Sequence, residues 1–189
     1  MDIPGQQLRL SAGCILVAEP FMADPYFKRS VIFLADHNEK GSFGLILNKP
    51  IPLKLSEALE SAPEFAGSLN LGGPVERSTL HFIHRYGPQL PGTVEVAQGV
   101  FWGGDFATVK RLMNEGTLHE DNIRLYIGYA GWSAGQLMDE MGRNSWIVAP
   151  TDQKYLFNQE PDDLWRCVLR DLGGPYDVLA TFPEDPRLN

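Results

Sequence analysis

The sequence predicts an α+β fold in a single domain that spans residues 1–189. Short apolar runs separated by Pro-, Asp- and Gly-containing connections indicate buried strands, and amphipathic segments with start and stop signals indicate helices. Strands precede, interrupt and follow the helices without the regular alternation of a doubly wound sheet, which favours a mixed architecture. A length of 189 residues and a hydrophobic fraction of 43% are sufficient for one sizeable core.

Strands are predicted at each of the short apolar runs. Val31–Ala35 and Phe43–Leu47 flank a polar connection, Asp36–Gly44, whose turn residues favour an antiparallel hairpin of moderate loop length. Pro50 and Pro52 end the second of these strands. The other predicted strands are Cys14–Ala18, Ser68–Leu71, Thr79–His84, Thr93–Val96, Gly99–Trp102, Ile123–Tyr129 and Trp146–Ala149.

Helices are predicted where capping signals and helical spacing agree. A short helix begins at a Ser56 cap, and a second follows Asp105 and ends before Gly116. The last begins near Pro161 and ends before Gly173. Apolar residues at helical spacing support the second and the last helix: Phe106, Val109 and Met113, and Leu164, Trp165, Val168 and Leu172.

The segment Tyr129–Leu137 (YAGWSAGQL) joins a predicted strand to a predicted helix. Its Gly-x-Ser-x-Gly spelling is that of a nucleophile elbow, which would make the chain a serine hydrolase using Ser133. In the α/β-hydrolase order the histidine base follows the serine. The histidines of this chain all precede Ser133: His37, His81, His84 and His119.

A folding role explains Ser133 more completely. Ser133 and Gln136 match a Ser-x-x-Gln capping box, and Trp132 and Leu137 stand at the two hydrophobic-staple positions. We therefore predict that Ser133 caps a helix ending at Gly142, and that its replacement by Ala costs about 1 kcal/mol. Helical spacing predicts a buried stripe of Ala134, Leu137, Met138 and Met141, and a polar face of Gln136, Asp139 and Glu140.

Composition excludes several classes of function. The net charge of −8 opposes direct, non-specific binding to nucleic acid or to an anionic membrane. No apolar run reaches the roughly 20 residues of a transmembrane helix, and the polar MDIPGQQLR segment lacks the apolar region of a secretion signal. The expected compartment is therefore the cytoplasm.

No pattern in the chain predicts a cofactor or a bound metal. The doubled glycines lack the spacing of strand, glycine loop and helix that a phosphate or dinucleotide site needs. His81 and His84 lie three residues apart on a predicted strand, so their side chains point to opposite faces. Without a third ligand, this pair does not indicate a metal site.

Five residues at the ends of predicted elements are candidates for a ligand site. Backbone groups, side-chain amides and an aromatic face could meet a ligand where strands and helices end. Each residue also has a structural explanation: Asn48 as a turn residue, Gly72 and Gly73 as a tight bend, Trp132 as a staple and Gln136 as a cap. The sequence leaves both explanations open.

Short motifs in a fixed order resemble the bacterial YqgE/AlgH family over nearly the whole chain. They are Asp24-Pro25, Phe27, Arg29-Ser30-Val31, His37 through Gly44-Leu45, Asn48-Lys49-Pro50, Gly72-Gly73-Pro74-Val75, Tyr129, Gly131-Trp132, Gly135-Gln136-Leu137, Glu140, Trp146 and Leu164-Trp165. The resemblance implies an α+β fold with coiled, mixed sheets and flanking helices. It supplies no catalytic residue, and the family does not require serine at the position of Ser133.

The predicted function is that of a non-enzymatic binding or regulatory protein of the bacterial cytoplasm, with a protein or small-molecule partner. One alternative is a serine hydrolase using Ser133. The other is a transcriptional regulator acting directly or indirectly on DNA, which is the name given to one branch of the family. Direct nucleic-acid binding is not expected, because no predicted helix has the basic face that a helix-turn-helix needs.

Overall fold

The computed structural model of the protein describes residues 9–157 and 163–184. In these ranges the strands are β1 (Ile15–Ala18), β2 (Val31–Asn38), β3 (Gly41–Ile46), β4 (Pro50–Ile51), β5 (Leu69–Leu71), β6 (Val75–His84), β7 (Val94–Ala97), β8 (Val100–Trp102), β9 (Ile123–Ser133) and β10 (Trp146–Ala149). The α-helices are α1 (Leu55–Ala58), α2 (Phe106–Asn114), α3 (Gln136–Gly142), α4 (Gln153–Phe157), α5 (Leu164–Leu172) and α6 (Pro175–Ala180).

The strands form one sheet in the order β10-β1-β2-β3-β9-β6-β8-β7, with β4 and β5 beside this path. The long strand β9 is central: β6 pairs along one edge, whereas β3 and β5 share the other edge. Only the β5–β9 pair is parallel among the described strands. The predicted α+β class with a mostly antiparallel sheet and flanking helices is therefore confirmed.

The hairpin between β2 and β3 is tighter than predicted. Much of the expected connection, Asp36–Gly44, belongs to the strands themselves, because β2 continues to Asn38 and β3 begins at Gly41. Polar side chains in this segment therefore project from a paired ribbon. Its register shifts between Leu34 and Asp36, as at a β-bulge.

Both faces of the sheet are covered around β1, β2 and β3, so these strands are apolar runs and not alternating patterns. Phe33 packs in a cluster with Trp165 of α5 on one face. Its neighbour Ile32 packs with Trp132 and Leu137 on the opposite face, beneath α3. A third cluster lies under α2 and includes Leu69, Leu125 and Val109.

The connection from β5 to β6 crosses from one edge of β9 to the other. Gly72 donates its N–H to the Ile127 carbonyl at 2.9 Å, on the edge that β5 uses. Val75 pairs with Tyr129 on the edge that β6 uses. The chain must therefore pass over β9 within these few residues.

Glycines make this crossing possible. A Cβ atom on Gly72 would overlap the carbonyl oxygen of Gly128, and one on Gly73 would overlap the carbonyl group of Tyr129. Gly128 has φ 66° and would place a Cβ atom 2.7 Å from the carbonyl oxygen of Val75. The predicted bend at Gly72 and Gly73 is thus a close approach of two chain segments.

Helix ends were predicted unevenly. The Asp105 side chain accepts from the Thr108 N–H at 2.9 Å and caps α2, as expected. The expected Ser56 cap is wrong, because α1 begins after Lys54. Helices α4 and α6 were not predicted, since such short segments carry little periodic signal. The expected start of the last helix near Pro161 lies outside the described residues.

No helix among the described residues is long and apolar enough to span a bilayer.

The prediction that Ser133 caps α3 is wrong. β9 continues through Ser133, and the helix begins at Gln136 with Gly135, at φ 79°, as its N-cap residue. The Gln136 Oε1 atom accepts from the Ser133 N–H at 3.0 Å and from its hydroxyl at 3.2 Å. Only the half of the capping box in which the glutamine side chain reaches back is therefore formed.

The buried stripe of α3 is also narrower than predicted. Leu137 is buried, but Met138 is 57% exposed and Ala134, which precedes the helix, is exposed as well. Met141 packs at the edge of the cluster that contains Leu137. Glu140, which was expected on the polar face of the helix, instead turns toward the core. Its carboxylate accepts hydrogen bonds there from the indole N–H groups of Trp132 and Trp146.

Candidate functional site

A groove opens where the β2–β3 hairpin meets β9 and the first residue of β6, and we call it the hairpin groove. Its volume is about 540 Å³. The Phe43 and Tyr129 rings form its floor, with their centroids 4.5 Å apart and their planes 24° from parallel. The residues that line it are Asp36, Asn38, Lys40, Gly41, Ser42, Phe43, Val75, Tyr129, Gly131 and Trp132.

The floor belongs to a row of half-buried rings on adjacent strands. Phe43 of β3 lies 5.0 Å from His81 of β6 and 4.8 Å from Trp102 of β8, measured between ring centroids. Tyr129 of β9 lies 5.6 Å from His81 in an edge-to-face arrangement. These spacings are those of favourable aromatic pairs, so the floor is a packed aromatic surface.

Hydrogen bonding settles the tautomer of His81. The Thr79 hydroxyl donates to the Glu76 carbonyl at 2.8 Å, so its proton is already used. His81 Nε2, 2.9 Å from the Thr79 oxygen, must then carry the proton of their shared bond. Burial lowers the pKa of His81 although the charge of Glu76 opposes this effect. The imidazole is therefore neutral at pH 7, with Nδ1 as an acceptor.

Polar groups of the hairpin tip border the groove. Asn38 donates to the Asp36 carboxylate at 3.0 Å and accepts from the Lys40 N–H at 2.8 Å. These bonds hold the tip, while the Lys40 side chain stays exposed at the rim. Across the groove, the β6–β9 ladder stops at the pair of Val75 and Tyr129, so the last residues of β9 are paired only with β3.

Trp132 lies beside the groove, but its indole ring packs on the opposite face of β9 and is only 5% exposed. Its Nε1 donates to Glu140 Oε2 at 2.9 Å, and the Trp146 Nε1 donates to the same oxygen at 2.8 Å. Gln136 donates to Glu140 Oε1 at 3.0 Å. The candidate residues Trp132 and Gln136 thus belong to a network that fastens α3 to the sheet.

Asn48 lies at the other end of β3. Its Oδ1 accepts from the Val31 N–H at 2.9 Å, and its Nδ2 donates to the Arg29 carbonyl at 2.8 Å. Ser42 pairs with Trp132, so Asn48 stands roughly 20 Å further along the extended chain, at about 3.3 Å per residue. The structure therefore does not bring the five candidate residues into one cleft.

The other candidates are divided in the same way. Gly72 and Gly73 lie at the β9 crossing, where their backbones contact protein atoms. Of the five, Trp132 alone lines the hairpin groove, beside Gly131. Asn48, Gly72 and Gly73 therefore belong to one end of β3, whereas Trp132 and Gln136 belong to the other.

The contacts between serine and histidine side chains are not those that the nucleophile-elbow hypothesis requires. The Ser133 hydroxyl is engaged with Gln136. The serine that contacts a histidine is Ser42, whose Oγ lies 2.7 Å from His37 Nδ1 across the β2–β3 hairpin. The elbow spelling therefore marks the end of β9, and Ser133 has no base in hydrogen-bonding contact among the described residues.

His84 has a structural role. Its Nδ1 accepts from the Tyr86 N–H at 3.1 Å, so its protonated Nε2 donates toward the Gly103 carbonyl at 3.0 Å and the Thr93 hydroxyl at 2.9 Å. Burial lowers the pKa of His84. Both ring nitrogens of His84 therefore have partners inside the protein. These partners differ from the Thr79 hydroxyl that the half-buried His81 contacts.

Sequence reasoning missed the residues that shape the groove. Phe43 and Tyr129 were recognised as strand residues, yet the register that stacks their rings comes from pairing between distant strands. In the sequence, Gly131 belongs to the elbow spelling and to a family motif, and neither indicates a groove. A Cβ atom there would lie 3.0 Å from the Tyr129 ring, so glycine keeps this part of the groove open.

Fold and site together define an α+β protein in which one mostly antiparallel sheet carries a groove with an aromatic floor beside its hairpin. The chain belongs to the AlgH-like family, whose model matches residues 15–177. The resemblance to the YqgE/AlgH family is thereby confirmed.

Relatives of similar length support this membership. A UPF0301 protein of Cytophaga hutchinsonii is 42% identical over 181 residues, which are 95% of this chain and 100% of that protein. A UPF0301 protein of Chlorobaculum tepidum is 41% identical over 180 residues, 95% of this chain and 96% of that protein. The similarity therefore extends over the sheet, the groove and the helices alike.

Two solved structures have the same fold. The solution structure of the AlgH protein from Pseudomonas aeruginosa has a TM-score of 0.75 at 30% identity, covering 96% of this chain and 98% of that one. The crystal structure of a Corynebacterium diphtheriae protein has a TM-score of 0.79 at 24% identity, covering 94% and 95% of the two chains. The second match supports the fold alone.

Proposed function

We propose that this protein is a non-enzymatic binding protein of the bacterial cytoplasm, and that the hairpin groove holds its partner. The observation that carries this proposal is the stacked pair of Phe43 and Tyr129 at the floor of an open groove of about 540 Å³. Aromatic surface left accessible beside a few polar groups is typical of ligand sites.

The groove favours a partner with a planar apolar part and an adjacent polar group. The rings of Phe43 and Tyr129 offer a stacking surface, and Gly131 leaves room above the Tyr129 ring. Asp36 and Lys40 at the rim supply one group of each charge, which can orient a ligand without favouring a polyanion. An aromatic small molecule or an aromatic side chain of a partner protein meets these requirements.

A non-enzymatic role is supported by the environment of Ser133. A serine nucleophile needs a base within hydrogen-bond reach, whereas the Ser133 hydroxyl donates to the amide oxygen of Gln136. We expect a fluorophosphonate probe to leave Ser133 unlabelled. Labelling that disappears in a Ser133→Ala variant would instead support the hydrolase alternative.

A role as a regulator is compatible with this proposal only through a bound partner. The chain carries a net charge of −8, and direct binding to DNA would need a contiguous basic surface. Electrostatic binding to DNA weakens steeply as the salt concentration is raised. We therefore expect that this protein does not show such salt-sensitive binding to a DNA duplex. Regulation would follow from occupancy of the groove.

The groove can be tested by NMR titration of the full-length protein with L-tryptophan and adenosine as planar probes and glucose as a non-planar control. We expect the planar probes to shift the amide signals of Gly41 and Gly131. The shifts should be lost in Gly131→Leu and Phe43→Ala variants.

Leu53→Ala is the matched control, because Leu53 lines a separate surface cavity with Phe65. This variant should keep the shifts. Equal shifts in the wild type and in both groove variants, or shifts with glucose alone, would contradict the proposal.

A further inference from the structure

A cluster of cationic side chains lies at the end of β3 opposite the hairpin groove. Arg29 precedes β2, Lys49 follows β3 and Arg166 lies on α5, and all three are half-buried. We call these three residues the basic cluster. They come from distant parts of an acidic chain, so their convergence is a product of the fold.

Hydrogen bonds show how close the Arg29 and Arg166 guanidinium groups are, and they place Lys49 against the residue before Arg29. Arg29 Nη2 donates to the Phe182 carbonyl oxygen at 2.6 Å, and Arg166 Nη2 lies 3.5 Å from the same oxygen. The two guanidinium nitrogens are therefore at most about 6 Å apart, the sum of these two distances. Lys49 Nζ donates at 3.1 Å to the carbonyl of Lys28, the residue before Arg29.

The acceptors that these cations contact are neutral. Arg29, Lys49 and Arg166 bond to backbone carbonyls, and none forms an ion pair with a carboxylate of residues 9–157 or 163–184. Burial lowers the pKa of Arg29, and the charge of Arg166 lowers it further. Burial also lowers the pKa of Lys49. The cluster thus concentrates positive charge without an ion pair among the described residues, although the charge of Glu184 acts on Arg29 and Lys49.

Arg29 is held in place at a cost. Its backbone φ of 53° lies in the left-handed region, which residues other than glycine rarely adopt. Asn48 fixes this backbone through its bond to the Arg29 carbonyl, and the guanidinium carbon lies 4.2 Å above the Trp165 ring. The Arg29 Nε donor is buried without an acceptor among the described residues. Strain and an unused donor of this kind accumulate at ligand sites.

We propose that the basic cluster is a binding site for an oxyanion, a carboxylate or a phosphate, in which Arg29, Lys49 and Arg166 contact the ligand. Paired guanidinium groups match the oxygen geometry of either anion, and an ammonium adds a point charge. Asn48 is a positioning residue, since it holds the backbone of Arg29. This site is separate from the hairpin groove, and it supplies a different chemistry.

The C-terminal segment gives this site a competitor within the chain. Ala180 and Phe182 supply the carbonyls that Arg29 and Arg166 contact, and Glu184 follows shortly after them. The charge of Glu184 acts on both Arg29 and Lys49 and partly opposes the lowering of their pKa values by burial. An incoming oxyanion therefore takes over the electrostatic role of the Glu184 carboxylate.

The test is titration of the full-length protein with inorganic phosphate in one arm and acetate in the other, at constant ionic strength kept with chloride. The readouts are the NMR signals of the Val31 amide and the Arg29 Nε–H group, together with the melting temperature. We expect saturable changes with at least one of the two anions. The arm with the tighter binding tells whether phosphate or carboxylate is preferred.

Variants assign the binding to the cluster. Arg166→Gln and Lys49→Gln should each weaken binding by about tenfold, the loss expected for one charge-assisted hydrogen bond. Lys110→Gln on α2 removes the same charge elsewhere and should leave binding unchanged. Glu184→Gln should tighten binding, because it removes the competing carboxylate.

Two results would overturn the site. One is the absence of a saturable response to both anions in the wild-type protein. The other is binding that Lys49→Gln and Arg166→Gln leave as tight as Lys110→Gln does. If Arg166→Gln fails to fold, as judged by its melting curve, the comparison of Lys49→Gln with Lys110→Gln still decides the outcome.

Discussion

The two ends of β3 use glycine in opposite ways. At the Ile46 end, Gly72 and Gly73 carry the chain across β9 with their backbones in contact with it. At the Gly41 end, Gly131 leaves space beside the ring of Tyr129, and a groove results. The same residue type therefore closes the structure at one end of a strand and opens it at the other.

This difference shows how similar sequence signals acquire different meanings. Gly-Gly-Pro and Gly-x-Ser-x-Gly both predict turns. The first is a crossing of two chain segments, whereas the second is the end of a paired strand followed by a two-residue turn into α3. What distinguishes them is the neighbouring chain. Substitutions at the two ends of β3 should therefore change the free energy of unfolding by unequal amounts.

The largest effect is expected at the crossing. Gly72→Ala places a methyl group against the Gly128 carbonyl, which is backbone and cannot rotate away, so we expect a loss of at least about 3 kcal/mol in the free energy of unfolding. Urea denaturation followed by circular dichroism measures this loss.

Gly142→Ala is the matched control, because a Cβ atom at Gly142 meets no atom within 4 Å. The change should stay within about 1 kcal/mol and should be stabilising, since alanine favours the helix. If Gly72→Ala cost no more than this control changes, the crossing would be far looser than its contacts indicate.

A smaller loss is expected beneath the groove. Glu140→Ala removes the acceptor shared by the Trp132 and Trp146 indoles and leaves buried donors unpaired, which should cost about 2–3 kcal/mol. Urea denaturation gives the loss, and tryptophan fluorescence reports the altered ring environment.

Asp139→Ala changes an exposed carboxylate on the next residue of α3 and should alter stability by less than about 0.5 kcal/mol. Equal losses for Asp139→Ala and Glu140→Ala would mean that the indole bonds do not stabilise the sheet face behind the groove.

The buried His84 predicts a pH dependence of stability, and the half-buried His81 adds to it in the same direction because burial lowers its pKa as well. Burial lowers the pKa of His84 from the ordinary 6.5, so the unfolded chain binds the proton more readily than the folded protein does. Stability is therefore fully present above about pH 6.5 and falls as the pH drops below it, by at most about 1.4 kcal/mol per pH unit from this residue, until the lower folded pKa is passed.

Denaturation curves between pH 8 and about pH 5 measure this slope. A His84→Asn variant, whose side-chain oxygen can accept from the Tyr86 N–H, should have a flatter profile. His119→Asn, at an exposed position, should keep the wild-type profile. A profile unchanged by His84→Asn would exclude His84 as a source.

The smallest effect is expected at Ser133. Because Gly135 and not Ser133 is the N-cap residue of α3, Ser133→Ala removes only a hydroxyl that donates to Gln136 at 3.2 Å. The change in unfolding free energy should be below about 0.5 kcal/mol, less than the 1 kcal/mol expected of a lost cap. Urea denaturation that gives a larger loss would restore Ser133 as a structural cap.

The sequence by itself determined the fold class and most of the strands and longer helices. Apolar runs such as Cys14–Ala18 predicted strands, and Asp105 predicted the start of a helix, because hydrophobic periodicity and capping are local properties of the chain. The string of motifs from Asp24 to Trp165 was sufficient for the family, which the matched relatives confirm.

Only the tertiary structure decided where the polar and aromatic side chains meet. Phe43 and Tyr129 stack because β3 pairs with β9 in one particular register, and Glu140 turns inward because two indole donors from separate strands lie there. Asn48 and Arg29 meet through a single long-range contact. These choices depend on strands that are far apart in the chain, and no local pattern encodes their register.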